Sequence, residues 1–235
     1  MLSEPELDIC QCLMWNIKEL QEAIRTDRPD SEAILGVVRS VDRYIDIFLF
    51  HLYGARDALD EVVDPSATSL KEALVIVLGV SEHQAKYRTA KVASEAHILG
   101  AAHSSRAIFD VFAFLVNCLV LDGEISESRC SIQRVADKLP SSLLKQKLEE
   151  LIKSYWFRYV SAFVNVAKHR KLASHSFQVG FDDSYTGIRV GAFDYNGTAY
   201  PSYKVREFLE GVLEVKNTII NCGALLNLLV VRGHT

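Results

Sequence analysis

Residues 141–172, SSLLKQKLEELIKSYWFRYVSAFVNVAKHRKL, say most about the fold, because apolar residues recur there at every third or fourth position. This spacing gathers the apolar side chains into one stripe along a helix that ends near Leu172. The stripe consists of Leu144, Leu148, Leu151, Tyr155, Tyr159, Ala162 and Val166. The segment therefore predicts a long amphipathic helix that packs against a helical core.

Helical spacing continues on both sides of this segment. We expect further helices over about 5–26, 31–63, 69–79, 93–121, 126–138 and 203–231. Asp122-Gly123 is a turn pair that suits the end of the 93–121 helix. Pro140 suits the first turn of the helix that follows it.

The helical spacing stops between residues 176 and 200. Phe177–Phe181, Gly187–Phe193 and Thr198–Tyr200 have the pattern of short strands, and Tyr195-Asn196-Gly197 contains the Asn-Gly pair of a tight hairpin turn. No Ser/Gly/Pro-rich linker and no repeat period appears in the sequence. We therefore predict an all-α fold, with a single helical domain over 1–235 and a small β-hairpin over 176–200 before the last helix.

Length and composition exclude several classes of protein. The chain has 235 residues, of which 49% are hydrophobic, and this is enough to bury a core and excludes general disorder. Its five cysteines have no zinc-site spacing and favour a reducing compartment. The acidic start lacks the features of a signal peptide, and the apolar runs at 111–121 and 223–231 are shorter than the roughly 18 residues of a membrane span. We expect a cytoplasmic protein without a membrane partner.

Charge is distributed unevenly along the chain. The net charge is −4, yet the N-terminal helices over 1–64 carry −8 while residues 140–175 carry +5. A basic segment in an acidic chain suits a local anion site better than a general coat for nucleic acid. A solvated, lysine-rich helix face is the alternative interpretation.

Polar residues interrupt the apolar helix over 93–121. His103, Arg106, Asp110 and Asn117 are separated by three, four and seven positions, so they share one side of the helix. Arg106 and Asp110 are four apart and can form an ion pair. The seam either fixes the register of a buried helix or forms the wall of a polar cleft.

A second polar stripe borders the core at the end of the 141–172 helix. Arg158, Asn165 and His169 share one side of it, next to the apolar stripe. His175 comes five residues after Arg170, so a permanent cation and a titrating imidazole lie within about one and a half helical turns. The helix dipole alone also favours cations at this end.

Residues 90–232 resemble the HEPN superfamily (higher eukaryotes and prokaryotes nucleotide-binding). The resemblance rests on three features, which are His103-Ser-Ser-Arg106-x3-Asp110 leading to Asn117, Tyr159-x5-Asn165-x2-Lys168-His169-Arg170, and a hairpin followed by a last apolar helix. It implies a helical core over 93–172 and 203–231. Active members of the family carry an Arg and a His with four to six residues between them, a spacing that Arg170 and His175 match.

The resemblance implies a metal-independent endoribonuclease in bacterial defence or growth control. In that hypothesis His175 is the general base, Arg170 stabilises charge on the phosphate, and four basic residues contact RNA phosphates. The four are Arg158, Lys168, His169 and Lys171. Because Lys171 replaces the usual Asn, Asp or His, a non-catalytic module that binds a nucleotide, RNA or a protein is the alternative. A purely structural helical protein is a third hypothesis.

The sequence also leads to expectations about partners and cofactors. His97 and His103 are six apart, and no Glu-x-x-His pattern recurs, so we expect no metal site and no cofactor. The resemblance implies a homodimer whose cleft contains Arg170 and His175 of both copies. An antitoxin or another protein partner is compatible with the same hypothesis.

Overall fold

Helices make up most of the computed structural model, which describes residues 15–60, 75, 84–179 and 186–232. Within these residues the helices are α1 (Ile17–Asp27), α2 (Ser31–Asp60), α3 (Gln84–Val120), α4 (Ile132–Lys138), α5 (Leu143–Lys153), α6 (Tyr155–His169) and α7 (Val205–Arg232). A short 3-10 helix, Glu127–Arg129, precedes α4. The mainly helical character predicted from the spacing of apolar residues is confirmed.

The chain divides into two compact units, each built from separate segments. One unit contains the described residues of Met1–Ile45, Ser105–Arg158 and Glu214–Thr235. The other contains the described residues of Asp46–Ser104 and Tyr159–Leu213. The single domain over 1–235 stays a prediction.

In the first unit, Trp15 joins the segment before α1 to α7. Its indole Nε1 donates a hydrogen bond to Oδ1 of Asn227 (3.1 Å), and its ring meets Phe112 edge-on with centroids 5.7 Å apart. Gly223 makes room for the indole, since a Cβ there would lie 2.2 Å from Cδ2 of Trp15. The glycine inside α7 is therefore explained by close packing of an aromatic ring.

Serine residues end or begin helices at points where the apolar spacing predicted one continuous helix. The prediction of one helix over 141–172 is wrong, because Ser154 is extended (ψ 149°) and its Oγ accepts a hydrogen bond from the Phe157 amide at 3.3 Å. Ser142 caps the start of α5, so Pro140 lies before that helix and not in its first turn. Serine offers the backbone an alternative to helical bonding at such positions.

Other helix boundaries also differ from the predicted ones. Helix α1 begins at Ile17, where Asn16 caps it, while the predicted residues 5–14 lie outside the described residues, as does almost all of the predicted 69–79 helix. The 93–121 helix is the C-terminal part of the longer α3, and Asp122 and Gly123 end it with positive φ angles of 47° and 75°. The predicted 126–138 helix is interrupted at Ser131, which caps α4.

The strands form two small antiparallel sheets where one hairpin was expected. Strands β1 (His175–Val179), β2 (Thr186–Val190) and β5 (Tyr203–Lys204) pair in the order β1-β2-β5. Strands β3 (Phe193–Tyr195) and β4 (Thr198–Tyr200) form the predicted hairpin. Asn196 and Gly197 turn between them with φ angles of 50° and 77°, which is the reason for the Asn-Gly pair.

Two described helices are long and apolar enough to cross a membrane by length and composition. They are α3 and the 205–231 part of α7, and 56% and 44% of their most apolar windows are buried inside the protein. The core helix of a soluble protein passes the same test. The helices are longer than the uninterrupted apolar runs on which the expectation of no membrane span was based.

Candidate functional site

An aromatic cluster in the second unit fixes the β3–β4 hairpin against α6. The Tyr159 side chain is fully buried, and its hydroxyl donates a hydrogen bond to the carbonyl of Pro201 at 3.0 Å. Four rings surround it edge-on, with centroids 5.2 to 6.0 Å away; they are Phe193, Tyr200, Tyr203 and Phe208. The hairpin is therefore held by packing and by a hydrogen bond to a helix residue.

Helix α6 ends in a run of exposed basic residues. The carbonyl of Val166 accepts hydrogen bonds from the amides of both Arg170 (2.9 Å) and Lys171 (3.1 Å), which closes the helix. Lys168, His169, Arg170 and Lys171 are all exposed. The negative end of the helix dipole stabilises positive charge at this point.

The hairpin turn supplies two partners for Arg170. The guanidinium carbon lies 5.4 Å from the centroid of the Tyr195 ring, and Nη2 donates a hydrogen bond to Oδ1 of Asn196 at 3.5 Å. We call these two hairpin residues and the four residues 168–171 the basic edge. It combines four exposed basic residues with a partly exposed aromatic ring and an exposed amide, and Arg170 links the two sets.

His175, the predicted general base, is the first residue of β1 and does not lie on the surface. Its exposed fraction is 7%, and Nε2 has no hydrogen-bond partner among the described residues. Burial, together with the charge of Lys91, lowers the pKa of His175 to about 4. The cavity beside it, which Glu95 and Ser174 help to line, has a volume of about 10 Å³, which is room for about one water molecule.

Two other predicted residues, His103 and Asn165, lie in the same unit as the basic edge. His103 is half-buried, and its pKa is lowered by this burial and, to a smaller extent, by the charge of Lys168. The Asn165 amide donates a hydrogen bond to the carbonyl of Ser161 at 2.8 Å. His103 is therefore an electrostatic neighbour of the basic edge, whereas the amide of Asn165 is bonded within its own helix.

The remaining predicted residues belong to the first unit, where their contacts are local. Arg106 and Asp110 form the predicted ion pair at 3.1 Å. The Asn117 amide bonds both the carbonyl (2.8 Å) and the amide (3.1 Å) of Ile125. Arg158 is exposed and donates to the carbonyl of Ser154 at 3.4 Å. Asn117 therefore fixes the loop after α3 through two hydrogen bonds to the backbone of Ile125.

The contacts of Tyr195 and Asn196 with Arg170 were not predicted, because the sequence pattern indicated only a turn at these two residues. They follow Arg170 by 25 and 26 residues, so no helical or strand spacing links them to it. Across the described residues no group of three or more His, Cys, Asp or Glu side chains is arranged to hold a metal ion.

Comparisons of the chain with models of protein families, with curated proteins and with solved structures found no match.

Proposed function

We propose that this chain is a non-catalytic RNA-binding module and that the basic edge is its contact surface. The observation that carries the proposal is the position of Arg170. It lies over the Tyr195 ring, between exposed cations on α6 and the hairpin turn that the Tyr159 cluster holds in place.

The chemistry of the basic edge suits single-stranded RNA. Lysine and arginine side chains neutralise backbone phosphates, and such contacts supply most of the affinity of non-specific binding. Unstacked bases also stack on aromatic rings and on arginine planes. Tyr195 provides an aromatic ring and Arg170 an arginine plane for such stacking. The Asn196 amide adds a donor for a phosphate or a base edge.

The burial of His175 is the reason for proposing binding over cleavage. A general base must reach the ribose 2′-hydroxyl and works best with a pKa near the operating pH. The side chain of His175 is buried beside a cavity too small for a ribose, and its pKa is about 4. Ribonuclease activity, with Arg170 and His175 as catalytic residues, stays a prediction from the HEPN resemblance.

The binding proposal is tested by fluorescence anisotropy of a labelled oligouridylate at two or more salt concentrations. The double variant Arg170→Ala/Lys171→Ala should bind at least about fivefold more weakly. Its log–log salt dependence should be less steep by about 0.7 for each phosphate that the variant no longer neutralises. Lys153→Ala is the matched control, because this exposed lysine on α5 lies outside the basic edge. No binding by wild type, or equally weakened binding by both variants, would overturn the proposal.

Cleavage is tested on the same RNA, with a chelator present and with the products separated on a denaturing gel. The proposal expects the RNA to remain intact. Cleavage that is retained by Lys153→Ala and abolished in both Arg170→Ala and His175→Asn would contradict the proposal and support the ribonuclease hypothesis.

A further inference from the structure

Two histidines from neighbouring helices meet in the second unit, apart from the basic edge. Nδ1 of His51 on α2 lies 3.1 Å from Nδ1 of His97 on α3. Their ring centroids are 5.2 Å apart, with an angle of 59° between the ring planes. The same nitrogen of each ring, which carries a lone pair in one neutral tautomer, is therefore directed at its counterpart.

Each ring occupies space that a glycine of the opposite helix leaves open. A Cβ on Gly54 would lie 2.5 Å from Cε1 and 2.7 Å from Nδ1 of His97. A Cβ on Gly100 would lie 2.5 Å from Nδ1 of His51. Both helices thus carry His-x-x-Gly, with the histidine of one fitted against the glycine of the other.

The separation of the two nitrogens matches two neighbouring ligands of one metal ion. A zinc–imidazole bond is about 2.0–2.1 Å long. At that length, two nitrogens 3.1 Å apart subtend an angle of about 100° at the ion, close to the tetrahedral angle. Imidazole is a common ligand of zinc, copper and nickel.

The pair is accessible from solvent beside an exposed aromatic ring. His51 and His97 are both partly exposed. The Phe50 ring contacts both imidazoles, with centroid distances of 5.3 and 5.6 Å, and Phe50 is itself 66% exposed. Because no third ligand group is arranged here among the described residues, water would be the remaining ligand of an ion held by the two rings.

We propose that His51 and His97 form a two-histidine binding site for a divalent transition ion such as Zn²⁺ or Cu²⁺. Each ring binds through Nδ1 and carries its proton on Nε2, so the ring that donates in the hydrogen-bonded pair changes tautomer when the ion enters. Both rings also turn slightly, so that their Nδ1 lone pairs converge on an ion beside the line that joins the two nitrogens. Water completes the coordination. The site does not depend on the proposed RNA contact.

The site is tested by calorimetric titration of the full chain with Zn²⁺ in a buffer that does not bind metal. Wild type should bind one ion at this pair, and His51→Gln and His97→Gln should each weaken binding at least about tenfold. Gly54→Ala should also weaken it, although both imidazoles remain, because the new methyl group displaces the His97 ring. His103→Gln, which removes a half-buried histidine elsewhere on α3, should leave the Zn²⁺ affinity unchanged.

A second measurement uses wild type alone and so does not depend on how the variants fold. Bound Cu²⁺ should give an electron paramagnetic resonance spectrum with hyperfine structure from two imidazole nitrogens. A Cu²⁺ spectrum without nitrogen hyperfine structure would overturn the site. Equal Zn²⁺ affinities of wild type and His51→Gln would also overturn the site, and the two histidines would then form a hydrogen bond without binding an ion.

Discussion

At the scale of single residues, the buried imidazole of His175 links folding to pH. Its pKa is about 4 in the folded protein and about 6.5 when exposed, so the unfolded chain binds more protons between these values. The free energy of unfolding therefore falls as the pH drops from 6.5 to 4. A shift of this size corresponds to a loss of about 3 kcal/mol.

The prediction is measured by urea unfolding at pH 7.5 and 4.5 for wild type and His175→Gln. Wild type should lose up to about 3 kcal/mol more stability on acidification than the variant, in which position 175 does not titrate. Carboxylates titrate in both proteins, so their contribution cancels in the comparison. Equal losses in the two proteins would mean that His175 is solvated in the folded state.

Because Gly223 lies against Trp15, adding one methyl group at position 223 should strongly lower the stability of the protein. Gly223→Ala should lower the free energy of unfolding by about 1–3 kcal/mol, because a Cβ there would lie 2.2 Å from the Trp15 ring. Gly36→Ala on α2 is the control. Its Cβ would meet only the end of Arg39, at 3.9 Å, so this change should be neutral or stabilise the helix by up to about 1 kcal/mol. Denaturant melts of both variants check the prediction, which fails if the two alanines have the same effect.

At the scale of elements, one side chain fixes the loop after α3 by forming hydrogen bonds with its backbone. Asn117, which is 1% exposed, bonds both the amide and the carbonyl of Ile125. Asn117→Ala leaves those two groups unpaired near the core. It should lower the free energy of unfolding by about 1–3 kcal/mol.

Asn165→Ala is the matched control for Asn117→Ala. The Asn165 amide is partly exposed and bonds the carbonyl of Ser161 within α6, so its removal should change stability by less than about 0.5 kcal/mol. Thermal melts rank the two variants. Faster hydrogen exchange of the Ile125 amide should accompany Asn117→Ala. An unchanged exchange rate would contradict the hydrogen bonds that fix this loop to Asn117.

At the scale of the whole molecule, the prediction concerns assembly. The HEPN resemblance implies a homodimer, whose two-fold contact brings the same surface of each copy together. Light scattering at about 0.15 M salt, near physiological ionic strength, should then report twice the chain mass of 26.3 kDa. A mass of one chain would contradict the dimer and leave the monomeric RNA-binding module.

Much of the fold was predictable from sequence because it depends on local spacing. The periodic apolar residues predicted the helices, Asp122-Gly123 predicted the end of α3, and Tyr195-Asn196-Gly197 predicted the β3–β4 turn. The breaks at Ser131 and Ser154 were not predicted, because apolar periodicity continues through a serine whose side chain replaces a helical hydrogen bond. Apolar periodicity indicates which face of a helix is buried, but it does not indicate whether the helix is interrupted.

The amino-acid order is enough to show which residues form helices and where positive charge is concentrated. What the polar side chains do depends on the folded chain, which buries His175 in a strand and joins Arg170 to Tyr195. Folding also brings His51 to His97, which is 46 residues away. The physical reason is that local backbone preference acts over a few residues, whereas burial and side-chain contact depend on which distant segments pack together.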